Sequence, residues 1–221
     1  MRIAGALCIF LCLTTAAVGQ NLTAEQILAR LDEKAKVFKS LEASIVQQQV
    51  SVGVKKTPET GKIYMKVAKP APMVLVDITS PKNAAKTALI KGEKALIFFR
   101  EQKSYQESKI GPRGSVFDLV LTGFGVPAET LKKFYTAEAK GRETIDGVVT
   151  EILDLTSLPG QTGDVKKVTL WLDPKLWIPV QTRVTMRSND TTDFKYSNVR
   201  LNRNLADSVF NVKIPSDASK L

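Results

Sequence analysis

Strand-length segments recur along most of this chain and constrain its fold more than any other feature. In its second half, five of them follow at near-regular spacing, separated by turn residues: 135–143, 148–156, 165–173, 178–187 and 191–199. Apolar and polar residues alternate along 178–187, which is typical of a strand with one buried face. With the segments of the first half, we expect about ten strands in all.

One helix precedes the strands. Thr23 and Gln26 have the spacing of a capping box, and apolar residues follow at helical intervals: Ile27, Leu28, Leu31, Ala35 and Phe38. This predicts an amphipathic helix over 24–38. From Ser40 onward the period changes towards two, which predicts strands in the regions of 45–54 and 63–67.

Further strands follow in the first half. Residues 73–78 are apolar on both parities and are bracketed by prolines, which predicts a strand covered on both faces. A turn at 91–93 predicts a hairpin between 88–90 and 95–99, and Tyr105 lies in another short strand.

Two helical segments interrupt this strand pattern. Residues 115–122 are predicted to form a short apolar helix, and Pro127 stands near the first turn of a second predicted helix. The expected fold class is mainly β (α+β): a strongly curved antiparallel sheet in a closed or nearly closed barrel, capped by the N-terminal helix and short inserted helices.

The N-terminus has the pattern of a secretory signal peptide. Arg2 precedes an apolar run that ends in small residues, which places the cut near Gly19 and Gln20. An uncleaved anchor is the alternative, although the run falls short of the roughly 20 residues of a spanning helix. Leucines precede Cys8 and Cys12, so neither resembles a lipid-modified cysteine. We expect a signal peptide over 1–19 and a single domain over 20–221.

The chain is basic, with a net charge of +10 that falls to +9 without Arg2. The excess is spread out, with short doublets only, among them Lys55-Lys56, Lys132-Lys133 and Lys166-Lys167. This spacing favours a solvated surface over a nucleic-acid interface. It also favours attraction to acidic surfaces, including anionic lipid headgroups.

Catalytic chemistry finds little support in the composition. The chain has no histidine, and both cysteines lie in the signal peptide, which excludes imidazole bases, Cys-His pairs and His- or Cys-ligated metals from the mature chain. We therefore expect a protein that is not an enzyme and has no metal or cofactor, although a carboxylate pair or a Ser-Lys dyad stays open. Strands that are apolar on both faces need covering either by the helices or by a hydrophobic ligand.

The order of several motifs resembles that of the LolA-type periplasmic lipoprotein carriers. The similar segments are GKIYMKVAKP at 61–70, KGEKALIF at 91–98, VTLWLD at 168–173, Ile178-Pro179, YSNV at 196–199, Asn202, Phe210 and Pro215. The resemblance implies an unclosed β-barrel whose concave apolar face accepts the acyl chains of lipoproteins in transit between two membranes. It also implies a periplasmic monomer served by an inner-membrane lipoprotein-releasing transporter and an outer-membrane acceptor.

The resemblance also implies site residues. The basic residue that holds the lid in that family falls on Lys69, where the family usually has Arg and its planar fork of donors. Cavity aromatic positions fall on Met73 and Leu75, and apolar lid residues on Phe117 and Leu121. The leading hypothesis is that these four apolar residues line an acyl-binding cavity, the alternative being that Met73 and Leu75 are ordinary core.

Two other functions stay open. One is an envelope-stress sensor or another lipid- or glycolipid-binding protein on the same half-barrel, similar to the RseB-type regulators, which carry a second, smaller domain. The other is a lipid or glycan hydrolase that uses Ser or carboxylates.

Overall fold

The computed structural model describes four stretches of the chain, residues 21–68, 71–109, 123–160 and 163–221. The signal peptide predicted for 1–19 and the short helix predicted for 115–122 lie outside them. Within these stretches no helix is long and apolar enough to cross a membrane.

The described residues form one thirteen-stranded sheet and two α-helices, α1 (Ala24–Val37) and α2 (Ala128–Lys132). The strands are β1 (Ser40–Ser51), β2 (Val54–Lys55), β3 (Glu59–Lys66), β4 (Met73–Ser80), β5 (Lys86–Lys91), β6 (Lys94–Phe99), β7 (Ser104–Lys109), β8 (Tyr135–Ile145), β9 (Val148–Ser157), β10 (Val165–Leu172), β11 (Pro179–Met186), β12 (Thr191–Leu201) and β13 (Ser219–Lys220). Short 3-10 turns lie at Lys82–Ala84 and Asp207–Phe210.

The strand order is β13-β7-β6-β5-β4-β3-β1-β12-β11-β10-β9-β8, with β2 paired to β1. Neighbours are antiparallel except β13, which runs parallel to β7. The end strands β8 and β13 do not pair with each other in the described part of the chain, so the curved sheet stays open. This confirms the unclosed antiparallel sheet with an N-terminal helix. The strand count is thirteen against the expected ten or so, and two of the extra strands, β2 and β13, have only two residues each.

Helix α1 begins as its sequence predicts. The Thr23 hydroxyl accepts from the Gln26 N–H (3.3 Å), and the Gln26 amide oxygen accepts from the Thr23 N–H (2.8 Å). Two backbone N–H groups at the start of the helix, which have no partner within the helix, are thus hydrogen-bonded. The side chains of Ile27, Leu28 and Leu31 are buried on one stripe, which packs against the sheet.

We call the sheet face that packs against α1 the inner face. Alternate residues of the strands contribute to its core, including Ile45 on β1, Ile63 on β3, Ile78 on β4, Leu170 on β10 and Val184 on β11. All five side chains are almost fully buried. At roughly 1.5–3 kcal/mol for each buried aliphatic side chain, this shared core ties the helix to the curved sheet.

The opposite, outer face of β4 carries a second apolar cluster. Met73 and Leu75 pack there against Leu205 and Phe210. These last two belong to the C-terminal segment (205–212), which crosses the outer face of the sheet. The strand predicted to be covered on both faces is confirmed, with the α1 core on one side and the C-terminal segment on the other.

Candidate functional site

A cavity of about 320 Å³ lies on the inner face of the sheet. Its apolar lining comes from β1, β4, β5, β6, β11 and β12, in the form of Ile45, Val76, Ile78, Ala88, Ile97, Val184, Met186 and Phe194. No residue of α1 is among the described lining, although α1 packs against the same face. The curved sheet therefore offers an apolar surface beyond the part that the helix covers.

Polar side chains complete the wall of the cavity: Gln47, Gln49, Lys86 and Thr192. Lys86 Nζ donates to Glu59 Oε2 at 2.6 Å, and the two side chains are 28% and 21% exposed. The Lys86–Glu59 pair is therefore partly open to solvent and carries no net charge. The cavity combines apolar walls with a polar, hydrogen-bonding border, which suits an amphiphilic ligand.

Strand β3 crosses the cavity region but contributes no side chain to the described lining. Gly61 occupies the position that pairs with Ile45 on one side and with Ile78 on the other. A Cβ built on Gly61 would stand 1.9 Å from the carbonyl oxygen of Asp77, beside a register shift between Thr60 and Gly61. The close approach of β3 and β4 thus requires glycine, and it brings two lining isoleucines together.

A buried polar pair lies one step along the strands from the cavity. The hydroxyls of Thr182 and Tyr196 are neighbours, but neither makes a hydrogen bond of normal geometry with any described residue. Burial raises the pKa of Tyr196 far above its usual value. The Tyr196 ring meets Phe124 edge-on, with centroids 5.1 Å apart, and this contact fixes the orientation of the ring.

Of the five site residues predicted from the sequence, the structure describes two, Met73 and Leu75, and these two lie together. Met73 and Leu75 adjoin each other in the outer cluster and do not line the inner cavity. Phe117, Leu121 and Lys69 lie outside the described residues. The acyl contact predicted for these residues stays a prediction, and for Met73 and Leu75 it concerns the face beneath the C-terminal segment.

A different lysine holds that segment in place. Lys66 Nζ donates to the backbone oxygen of Leu205 and to Asp207 Oδ1, both at 2.7 Å. The same hydrogen bond keeps the pKa of the Asp207 carboxyl below its usual value. A basic residue near the end of β3 therefore fastens a covering element, three positions before Lys69.

Sequence reasoning did not single out the residues that line the inner cavity. Val184 and Met186 stand on the apolar parity of 178–187, and that alternation signals that they face inward. Val76 and Ile78 carried no such signal, since both parities of β4 are apolar.

A groove of about 620 Å³ on the outer face of β8–β12 is a second concavity. Its charged and aromatic groups already have partners. Arg183 forms two hydrogen bonds with Asp193, and its guanidinium lies 5.6 Å from the centre of the Trp171 ring. The Trp171 indole donates to Glu143 and Lys167 donates to Asp154. The groove thus offers fewer unsatisfied groups to a ligand than its residue types suggest.

Comparison with known proteins bears mainly on the fold. No family model matches the chain. An uncharacterized protein of Methanocaldococcus jannaschii is 21% identical over 202 residues, which are 91% of this chain and 54% of that protein. The chain therefore spans about half the length of this curated relative.

Solved structures share the architecture at low sequence identity. An uncharacterized conserved protein from Thermus thermophilus is similar over 90% of this chain and 98% of that one, with 12% identity and a TM-score of 0.57. MucB, from Pseudomonas aeruginosa, is similar over 86% and 62%, with 15% identity and a TM-score of 0.53. A LolA superfamily protein from Nitrosomonas europaea is similar over 86% and 98%, with 18% identity and a TM-score of 0.44.

At these identities the likeness concerns the fold and not the ligand. The open antiparallel sheet and the helix on its inner face are features that the sequence resemblance implied. The chain shares an open, curved-sheet fold with the Thermus thermophilus protein and with MucB.

Proposed function

We propose that this protein binds the acyl chain of a lipid or lipoprotein in the inner-face cavity and carries it through water between two membranes. The observation that supports this most is the cavity itself, which has apolar walls from six strands and a polar border. It lies on the face of a curved sheet where a ligand could replace water without unfolding any element.

Binding needs no chemical step. Each methylene group that leaves water for an apolar wall contributes about 0.8 kcal/mol, so a chain that is only partly buried is already held. Release then requires either movement of the elements around the cavity or an acceptor that buries the chain better. This mechanism needs neither a nucleophile nor a metal.

The dimensions of the cavity narrow the cargo. Its volume of about 320 Å³ is near the lower end of the roughly 300–1,000 Å³ of ligand pockets. We expect it to hold one acyl chain at a time, with the head of the ligand near Gln47, Gln49 and Lys86. A lipoprotein with three chains would then keep the others against further surface or widen the cavity.

The proposed setting is the periplasm, reached by cleavage of the signal peptide near Gly19 and Gln20. The proposed partners are acylated lipoproteins, an inner-membrane lipoprotein-releasing transporter that loads the protein and an outer-membrane acceptor that unloads it. The sequence resemblance and the shared fold support these partners.

The test compares two neighbouring residues of β5. Ala88 lines the cavity, whereas Leu89 belongs to the outer cluster. Ala88→Trp fills the cavity and should weaken binding of a fluorescent fatty-acyl probe at least tenfold, because overpacking excludes the chain. Leu89→Trp places the same ring on the opposite face and should leave probe affinity within about twofold. Urea unfolding of both variants shows that they fold.

Equal affinity of wild type and Ala88→Trp, or no probe binding by the folded wild type, would overturn the proposal. Mass spectrometry of the protein purified from its own envelope adds a direct readout. We expect a co-purifying lipid or acylated peptide that is depleted in Ala88→Trp and retained in Leu89→Trp.

A second candidate is a protein that senses or holds a regulator. MucB has been solved in complex with MucA, and in this chain β13 pairs with Ser104 and Tyr105 at the start of β7. No described strand pairs with the rest of that edge of β7, so an added strand could pair there. A pull-down that yields a membrane-anchored regulator and no acylated protein would favour this function over the carrier.

A further inference from the structure

We infer that the β1–β2 hairpin tip, residues 51–56, is a membrane-contact element that docks on an anionic lipid surface. Its valines lie in water: Val52 is 92% exposed and Val54 is 67% exposed, the former being more exposed than any other large apolar residue in the described chain. Lys55 and Lys56 follow directly and are also exposed. Apolar side chains beside cations match the headgroup boundary of an anionic bilayer.

The backbone of the tip makes the exposed valine costly. Val52 has φ +51°, a left-handed conformation that β-branched residues rarely adopt. Nothing lies within 4 Å of a Cβ built on the adjacent Gly53, so the tip projects into open space. A glycine or asparagine at position 52 would satisfy the turn more cheaply, and folding alone therefore gives no reason for a valine there.

The tip is held in place by hydrogen bonds at its base. The Val52 N–H donates to Asp190 Oδ1 at 2.9 Å, and the Lys56 N–H donates to the Gln49 carbonyl oxygen at 2.9 Å. The Gln48 amide also donates to the Lys56 carbonyl oxygen at 2.6 Å. A fixed turn loses little conformational freedom when it docks.

The two lysines of the tip differ from other cations at this end of the sheet. Lys86 is paired with Glu59 and Lys103 with Asp217, whereas Lys55 and Lys56 form no ion pair with any residue the structure describes. Asp190 at the base accepts the Val52 N–H and attracts the charge of Lys56, which leaves two lysines against one carboxylate. The tip keeps a local excess of positive charge available to phosphate groups.

The tip also adjoins the cavity. Gln49, which accepts the backbone hydrogen bond from Lys56, is one of the lining residues. Docking of the tip would bring the border of the cavity next to the lipid surface. The inference goes beyond the proposed carrier function, since membrane contact is measurable whether or not the cavity binds an acyl chain.

Vesicle sedimentation of the mature chain tests the inference. The probes are vesicles of phosphatidylcholine alone and of phosphatidylcholine with phosphatidylglycerol, at low and high salt. We expect binding to the anionic vesicles only, and less at high salt. Val52→Ser with Val54→Ser should weaken it at least tenfold. Lys55→Gln with Lys56→Gln should weaken it by about fivefold for each lysine.

Matched changes elsewhere serve as controls. Val149→Ser alters another exposed valine, the second residue of β9. Lys133→Gln with Lys175→Gln removes the same net charge from exposed sites. Each control should change the affinity for anionic vesicles by no more than about twofold, because its residues lie outside the tip.

Several outcomes would overturn the inference: no binding to anionic vesicles, equal losses in the tip and control variants, or valine variants that abolish a self-association seen by sedimentation velocity. Failure of the carrier proposal is distinguishable. If only the carrier proposal is wrong, the wild type binds anionic vesicles but not the fatty-acyl probe. If only the membrane contact is wrong, the wild type binds the probe and the tip variants bind vesicles as well as the controls do.

Discussion

Lys66 Nζ lies 2.7 Å from Asp207 Oδ1 and joins the end of β3 to the C-terminal segment. The hydrogen bond lowers the pKa of the Asp207 carboxyl from its ordinary 3.8. The ion pair therefore adds stability above the ordinary pKa, and this is lost as the pH falls through the lowered value. We expect the hydrogen-exchange protection factors of residues 205–212, which correct the exchange rates for the intrinsic effect of pH, to fall in that acidic range before the sheet unfolds.

Asp207→Asn should lower these protection factors modestly at neutral pH as well, because the asparagine carries no charge to attract Lys66 while the hydrogen bond from Lys66 to the Leu205 carbonyl oxygen remains. Asp217→Asn, which removes the partner of Lys103, is the matched control and should leave exchange at 205–212 unchanged. Protection of the segment that is independent of pH in the wild type would contradict the prediction.

Gly61→Ala tests the close approach of β3 and β4. Because a Cβ would stand 1.9 Å from the Asp77 oxygen, the strands must separate, and we expect a loss of about 2–3 kcal/mol in the free energy of unfolding. Gly147→Ala meets nothing within 4 Å and has only its φ of +84° against it, so about 1–2 kcal/mol should be lost there. Urea unfolding measures both, and a smaller loss for Gly61→Ala than for Gly147→Ala would be inconsistent with the contact.

Tyr196→Phe removes a buried hydroxyl that makes no hydrogen bond of normal geometry with any residue in the described stretches. Since such a group is costly to bury, the variant should be as stable as the wild type or more stable by about 1 kcal/mol. Phe124→Ala removes the ring that meets Tyr196 edge-on and should cost about 3–5 kcal/mol. A loss above about 1 kcal/mol for Tyr196→Phe would show that the hydroxyl has a partner, for instance a buried water.

The sequence predicted the elements better than it predicted the site. The capping box at Thr23 and Gln26 is local, and its two hydrogen bonds form as expected. Strand alternation is also local, and it placed Val184 on the inner parity. In β4, however, Met73 and Val74 are equally apolar, so the pattern carries no information on which of them faces inward. That choice depends on α1 and on the C-terminal segment, both distant in sequence.

Leu75 and Val76 are neighbours in β4 on opposite faces of the sheet, so variants of the two test which face takes part in the proposed binding of an acyl chain. Val76 lines the inner cavity and Leu75 packs under the C-terminal segment. Val76→Asn should weaken fatty-acyl probe binding about tenfold, because it puts an amide into an apolar wall. Leu75→Ala should cost about 2–5 kcal/mol in the free energy of unfolding and leave the affinity of the folded protein unchanged. If Leu75→Ala weakens binding of the probe and Val76→Asn does not, the acyl chain binds on the outer face, where the structure places Met73 and Leu75, and the C-terminal segment must move to admit it.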